Sequence, residues 1–535
     1  MTRGGLVRRL GFALLATALA PATLPAQRPV VALPPLVRAV EINRLNVFAD
    51  SEATFFLPRL ANRFHVRTRP EVVEQELLFR AGEPFDSASV SETARNLRRL
   101  GIFRLVRLDS AMSDTGLIVR VTTQDGWSTK PEFAFRSTGG QVAWRVSLVE
   151  ENFLGWASRL LLGYTKDPDR SAFVFGIRRP RLIARSIGFA FQYDDRSDGS
   201  LLAANVQRPF LSLSDRHGWS VSIDRRDERI LRYFDGEPLP SDTLQRDFGA
   251  AAASVGVALS SGPKEYHRVA IGGRVWEDEF TRRDSLFGAL SAVGSLGVSW
   301  EFRHARYLLV RGFTTTREED VDLSSTVRIG ASVTPKAFGW EDHGITPSVT
   351  ARIGGLLTRR AFAYVDLNAH GRFTSAGLDS GAVQMGATVL YSPAPRHTLV
   401  LHGWVGALDH PRPGGEFDLG LGIGPRGFRL HAFTGDRAIY ATGEYRYLFA
   451  LDLFRTFDLG VAGFADHGGA WYSGSPKQTG WDFGGGIRLG SSRSTDLEMT
   501  RIDVVRRVAG PTDPADWLLV IGRGLTFSTA GILNR

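Results

Sequence analysis

A chain of 535 residues with 43% hydrophobic and 23% charged residues is too polar for a bundle of membrane helices and too long for one soluble domain, so at least two domains are expected. It contains no Cys, which excludes a disulfide framework and a Cys-ligated metal. The formal net charge of +9 rests on dispersed Arg residues, a pattern that argues against nucleic-acid binding and suits anionic lipid headgroups. In chain order, Arg3, Arg8 and Arg9 precede an apolar run over residues 10–20 and then small residues, so residues 1–26 read as a signal peptide, with cleavage after Ala22 or Ala26. Nowhere later does an apolar stretch reach the about 18 residues that a spanning helix needs. Any later membrane crossing must therefore use strands.

Residues 37–125 read as a compact α/β unit. Residues 39–48 alternate as a strand does. Pro70 suits a first helical turn, with Val73 and Leu77 on one face after it. A second helix starts at Asp86 or Ser87, shows Val90, Ala94 and Leu97 on one side, and stops at Gly101. Strands are expected over 102–108 and 117–122. The order is strand, helix, helix, strand, strand, and the connection from Phe48 to Pro70 is unusually long.

From residue 127 to 535 helical periodicity gives way to alternation of period two. Ile187, Phe189, Phe191 and Tyr193 oppose Gly188, Ala190, Gln192 and Asp194; Leu399, Leu401, Val405 and Ala407 oppose Val400, His402 and Trp404. A soluble β protein alternates in the same way with its polar face outward, and sequence alone does not show which face looks out. Export, long strands and the persistence of the pattern favour a closed transmembrane barrel, expected to have about 16 strands. In the last strand Trp517, Leu519, Ile521, Leu525 and Phe527 share a face. The spacing Gly522, Leu525, Phe527 resembles the C-terminal signal read by barrel-assembly machinery, although Val520 stands where a polar residue is usual.

One ordered series is more specific. Residues 422–429 read Gly-Ile-Gly-Pro-Arg-Gly-Phe-Arg; Glu444-Tyr445-Arg446, Phe464-Ala465-Asp466-His467-Gly468, a Gly-rich segment ending Arg488-Leu489, and Arg501-Ile502-Asp503-Val504 follow. This series resembles the C-terminal half of the BamA/TamA outer-membrane assembly family. The resemblance extends to Glu151-Asn152-Phe153-Leu154-Gly155 and to residues 37–125, which are similar to a periplasmic POTRA domain. It implies that Arg426, Gly427 and Phe428 form the tip of a long extracellular loop folded into the lumen. Arg426 would there pair with Asp466, and with Glu444 as second candidate. A guanidinium fork suits a carboxylate in bidentate fashion, and the adjacent Gly427 would allow a tight turn.

Enzyme chemistry finds no motif: there is no Gly-x-Ser-x-Gly elbow and no His-Glu-x-x-His site. No cofactor or metal is expected, and the acidic run Glu318-Glu319-Asp320 with Asp322 reads as a solvated extracellular loop. The resemblance implies an outer-membrane assembly factor. Its partners would be unfolded polypeptide clients taken through the POTRA domain and a barrel seam between residues 131–137 and 517–527, outer-membrane lipids, and periplasmic or lipoprotein accessory subunits. The alternatives are a two-partner secretion transporter and a structural or pore-forming barrel.

Overall fold

The computed structural model describes residues 34–53, 56–114, 116–138, 141–183, 186–234, 237–239, 242–282, 285–311, 318–420, 423–494, 498–510 and 517–525. The expected signal peptide over residues 1–26, Gly422 and Phe527 lie outside these residues.

The N-terminal α/β domain contains strand β1 (Val37–Leu45), helices α1 (Phe56–Phe64), α2 (Pro70–Glu74) and α3 (Ser87–Arg99), and strands β2 (Phe103–Ser113) and β3 (Gly116–Asp125). Its sheet has the order β1-β3-β2, with β1 parallel and β2 antiparallel to β3. Asp86 caps α3 by accepting from the backbone N–H groups of Ala88 and Ser89, both at 3.0 Å, and Gly101 takes φ +70° just past the helix end. Val72, Val73 and Leu97 pack on Val119 and Val121 to make the domain core. The helix α1 was not expected. It fills the long connection between Phe48 and Pro70, outside that core.

The rest of the chain forms a closed barrel of 20 antiparallel strands, from Thr129–Thr138 to Trp517–Arg523. The expected count of about 16 is corrected. Turns of two residues, such as that between Arg196 and Gly199, carry no punctuation beyond one glycine, so adjacent strands merge when read by pattern. The strands are long: Ser285–His304 runs for 20 residues.

The orientation that sequence left open is settled by burial. In the strand Gly480–Ser491, Trp481, Phe483, Ile487 and Leu489 are exposed on the outer surface, while Asp482 and Arg488 are buried in the lumen. The same inversion holds in Arg437–Leu453, where Tyr445, Tyr447 and Phe449 face out and Thr442, Glu444 and Arg446 face in. An apolar outer belt around a charged interior is the arrangement of an outer-membrane barrel, because lipid replaces water as the solvent of the outer face.

Candidate functional site

The connection from Asp409 to Arg437, at the end of the barrel away from the α/β domain, does not stand out from the barrel. It turns into the lumen and places Arg426 against the inner wall. Arg426 Nε and Nη2 donate to Asp466 Oδ2 and Oδ1 at 2.8 and 3.2 Å, a bidentate pair. Arg426 Nη1 donates to Glu444 Oε2 at 2.9 Å and to Asp503 Oδ2 at 3.4 Å, and Nη2 reaches Thr442 Oγ1 at 3.3 Å. The guanidinium also lies 3.5 Å from the centre of the Phe464 ring. All these wall residues sit on strands 437–453, 457–471 and 500–509 with the same inward parity, which is why a single side chain reaches them all.

The neighbours of Arg426 make the site a network. Glu444 also accepts from Arg446 Nε at 2.5 Å, and Asp503 from Arg488 Nη1 at 2.5 Å and Arg501 Nη1 at 3.3 Å. Gly427 donates its N–H to Asp482 Oδ2 at 2.8 Å. Its backbone does not take a left-handed conformation, contrary to the expected role in a tight turn. A Cβ at this position would stand 2.9 Å from Asp482 Cβ and 3.0 Å from Arg507 Cγ, so glycine is needed for close approach. Phe428 packs on Phe433 at 5.0 Å between ring centres, and its ring occupies the space a side chain at Gly480 would need. Sequence reading named Asp466 and Glu444 and missed Asp503, Asp482, Thr442 and Phe464. Strand parity carried the missing signal: Asp482 shares a face with Arg488, and Asp503 with Arg501 and Arg507.

The same loop is tied across the far mouth of the barrel. His431 Nε2 lies 3.0 Å from Asp169 Oδ2 as an ion pair, its Nδ1 is hydrogen-bonded to Asp418, and its ring stacks on Tyr233 at 3.8 Å. Burial disfavours the charge on His431, but hydrogen bonds to Asp169 and Asp418 outweigh it and raise the imidazole to about 9 from 6.5. A raised folded-state value means this stabilisation is complete below 6.5 and is lost as pH climbs through about 9. Limited proteolysis within residues 410–436 is therefore expected to accelerate across that interval, and His431→Gln should abolish the pH dependence.

The C-terminal residues part company. Gly522 lies on the last strand facing the lumen, and a Cβ there would stand 3.1 Å from Arg501 Nε. The strand ends at Arg523, and Gly524 takes φ +64°. Leu525 therefore does not continue the outer face of Trp517 and Leu519; it packs inside, against the cluster of Val321, Leu323 and Phe362. Val520, at the position where a polar residue is usual, is buried against Phe464 and Val505.

At the other mouth the acidic run lies on the domain side and not in a far-side loop, and Glu319, Asp320 and Asp322 are buried. Tyr307–Arg311 and Glu318–Asp322 form a hairpin on the domain side, and Val321 and Leu323 pack on the lumenal residues Phe362, Tyr364, Leu390 and Val400. Arg98 of α3 grips Asp320 through Nε at 2.5 Å and Nη2 at 2.9 Å, and Asp322 accepts from Arg303 at 2.5 Å. Among the described residues no group of His, Cys, Asp or Glu is arranged to hold a metal. Arg311, which opens a second Arg-Gly-Phe tripeptide in the sequence, ends the hairpin's first strand, and the other two residues of that tripeptide lie outside the described residues. A lumenal chamber of about 1340 Å³ lies between this hairpin and the Arg426 loop, touched by Tyr307 and Asp322 on one side and Phe417 and Ile423 on the other.

The α/β domain is fastened to the barrel mouth at several points. Glu76 pairs with Arg181 at 3.0 Å, Asn96 donates to the Leu211 carbonyl at 3.2 Å, and Glu92 accepts from the Leu213 N–H at 2.8 Å. The connection that carries α1 crosses the domain-side end of the barrel seam. On one side Glu52 pairs with Arg493 at 3.0 Å; on the other Asn152 Nδ2 donates to Thr68 Oγ1 at 2.9 Å, and the Arg69 N–H to the Gly155 carbonyl at 3.0 Å.

No family model and no curated protein matches the chain. Among solved structures it is similar to BamA from Haemophilus ducreyi lacking POTRA domains 1–3, at 11% identity over 91% of this chain and 84% of that one, with a TM-score of 0.35. It is also similar to CdiB from Escherichia coli, at 12% identity over 91% and 76% with a TM-score of 0.48, and to CdiB from Acinetobacter baumannii, at 12% over 92% and 74% with a TM-score of 0.42. Identities and scores of this size place no family name on the chain.

Proposed function

We propose that this protein is an outer-membrane assembly factor of the BamA/TamA type, with the α/β domain as a POTRA domain in the periplasm and the barrel seam as the place where client strands enter. The observation that carries this reading is how the barrel closes. Among the described residues its first and last strands pair in ladder register through Val520 with Arg136 and Ile521 with Phe135, and the side chain of Arg523 pairs with Glu132 across the same seam. The flanking ladders are long: the last strand pairs with its other neighbour from Trp517 to Arg523, and the first strand with its own from Thr129 to Thr138. A short ladder between two strands of that length is the part of the wall where an extended client strand can add its own backbone donors and acceptors. The edge position of β2 in the domain sheet offers a second such template. A plug at each end of the lumen argues for lateral entry over passage through the pore.

The absence of native Cys makes the test clean. Phe135→Cys with Ile521→Cys should form a disulfide across the seam. The oxidised protein should lose client assembly, and a reductant should restore it. If the locked protein assembles clients as well as wild type, lateral entry is wrong. Depletion followed by outer-membrane proteomics separates the readings. Loss of many barrels supports an assembly factor, loss of one secreted protein supports a two-partner transporter, and no loss supports a structural barrel.

A further inference from the structure

The helix α1 poses a problem that the α/β domain does not solve. Phe56 is 70% exposed, Phe64 is 71% exposed and Val66 is 53% exposed, and none of them joins the domain core. Arg59, Arg63 and Arg67 are exposed beside them. Two bare phenylalanines on one short helix form the kind of apolar patch that soluble domains avoid unless something covers it.

The position of the helix says what covers it. Its preceding segment is held to the turn between the strands Gly480–Ser491 and Thr500–Ala509 by the Glu52–Arg493 pair, and the Arg493 guanidinium lies 4.9 Å from the Phe48 ring centre. Arg493 Nε in turn donates to the Arg455 carbonyl at 2.7 Å, in a turn where Phe454 is 80% exposed. The following segment is held to the turn at Phe153–Gly155, where Leu154 is 54% exposed. The helix thus runs on the domain side of the seam, between the turn at Arg493 and the turn at Phe153–Gly155; the second turn, and the Phe454 turn next to the first, present apolar side chains at the rim. Exposed apolar side chains thus occur both at the barrel rim, at Phe454 and Leu154, and on α1, at Phe56 and Phe64. Arginines beside phenylalanines at the level of the rim match the chemistry of an interfacial helix, with rings among the acyl-chain ends and guanidinium groups at anionic phosphates.

We propose that α1, with Val66 and Arg67 after it, docks on the phospholipid leaflet on the domain side and anchors the connection at that end of the seam to the membrane surface. The naming of that leaflet as the inner one rests on the orientation proposed above; contact with headgroups does not. The test uses the full-length protein in lipid nanodiscs. Single cysteines at Phe64→Cys, at the rim residue Leu154→Cys and at Met112→Cys are labelled with a small fluorophore; Met112 lies at the end of β2 remote from the barrel. Heat-modifiable mobility confirms that each variant is folded. Lipids carrying a spin label near the headgroup should quench the Phe64→Cys label as strongly as the Leu154→Cys label. Quenching no stronger than at Met112→Cys would overturn the proposal. Quenching should also be weaker in discs of phosphatidylcholine alone than in discs containing phosphatidylglycerol; equal quenching would overturn the part assigned to the arginines. A seam-lock result that sinks the assembly reading leaves this outcome unaffected.

Discussion

Arg426→Glu is expected to cost the folded barrel about 3–5 kcal/mol, the usual penalty for leaving buried charge unpaired. The readout is the temperature at which the barrel loses compact migration on unboiled gels, which should fall well below that of wild type. The argument rests on enclosure. The Arg426 side chain is 2% exposed and that of Asp466 is fully buried, so neither charge has water to fall back on. A Glu at this position would face Asp466, Glu444 and Asp503 with no cation of the loop between them. Adding Asp466→Arg should restore only part of the loss, since Glu444 and Asp503 would still face the new carboxylate while Arg488 and Arg501 would crowd the new guanidinium. A variant that melts with wild type would show that the loop is held by Phe428 packing and not by the ion pair.

Replacing residues 307–322 by a short Gly-Ser linker is expected to convert a quiet barrel into a persistently conducting one in planar bilayers. The hairpin rests on the inward faces of the strands Ala361–Thr374, Gly377–Tyr391 and His397–Asp409, where it covers a patch built for it: Phe362, Tyr364, Leu390 and Val400 are lumenal yet apolar. Removing it exposes that patch and unplugs one mouth. A milder variant keeps the hairpin and removes its grip on the domain. Arg98→Ala deletes a bidentate charge-assisted contact worth about 1.5–3 kcal/mol and should produce intermittent openings. If both variants stay as quiet as wild type, the hairpin does not close the lumen, and the Arg426 loop alone does.

Where side-chain chemistry and local spacing suffice, the sequence was readable. Asp86 and Gly101 marked the ends of α3, because a cap and a left-handed stop act within one turn. Alternation identified the barrel strands, and the family resemblance carried by the Arg426 series implied the pairing of Arg426 with Asp466 and Glu444 that the lumen holds. Strand number was not readable, because a two-residue turn leaves little mark. The direction in which Leu525 points was not readable either, since a single glycine at φ +64° turns it from the lipid face to the lumen.

By itself, the sequence determined the periods, the caps, the polarity of each face and the residues able to pair. Only the tertiary structure decided which face met lipid, because lipid and water demand opposite polarities of the same alternating strand. It also decided that Asp320 and Asp322 of the acidic run lie buried against Arg98 and Arg303. Finally, it set the closure of the barrel at a seam where the described residues form two ladder pairs, with α1 strung on its domain side. Those outcomes depend on contacts between residues far apart in the chain, which no local pattern encodes.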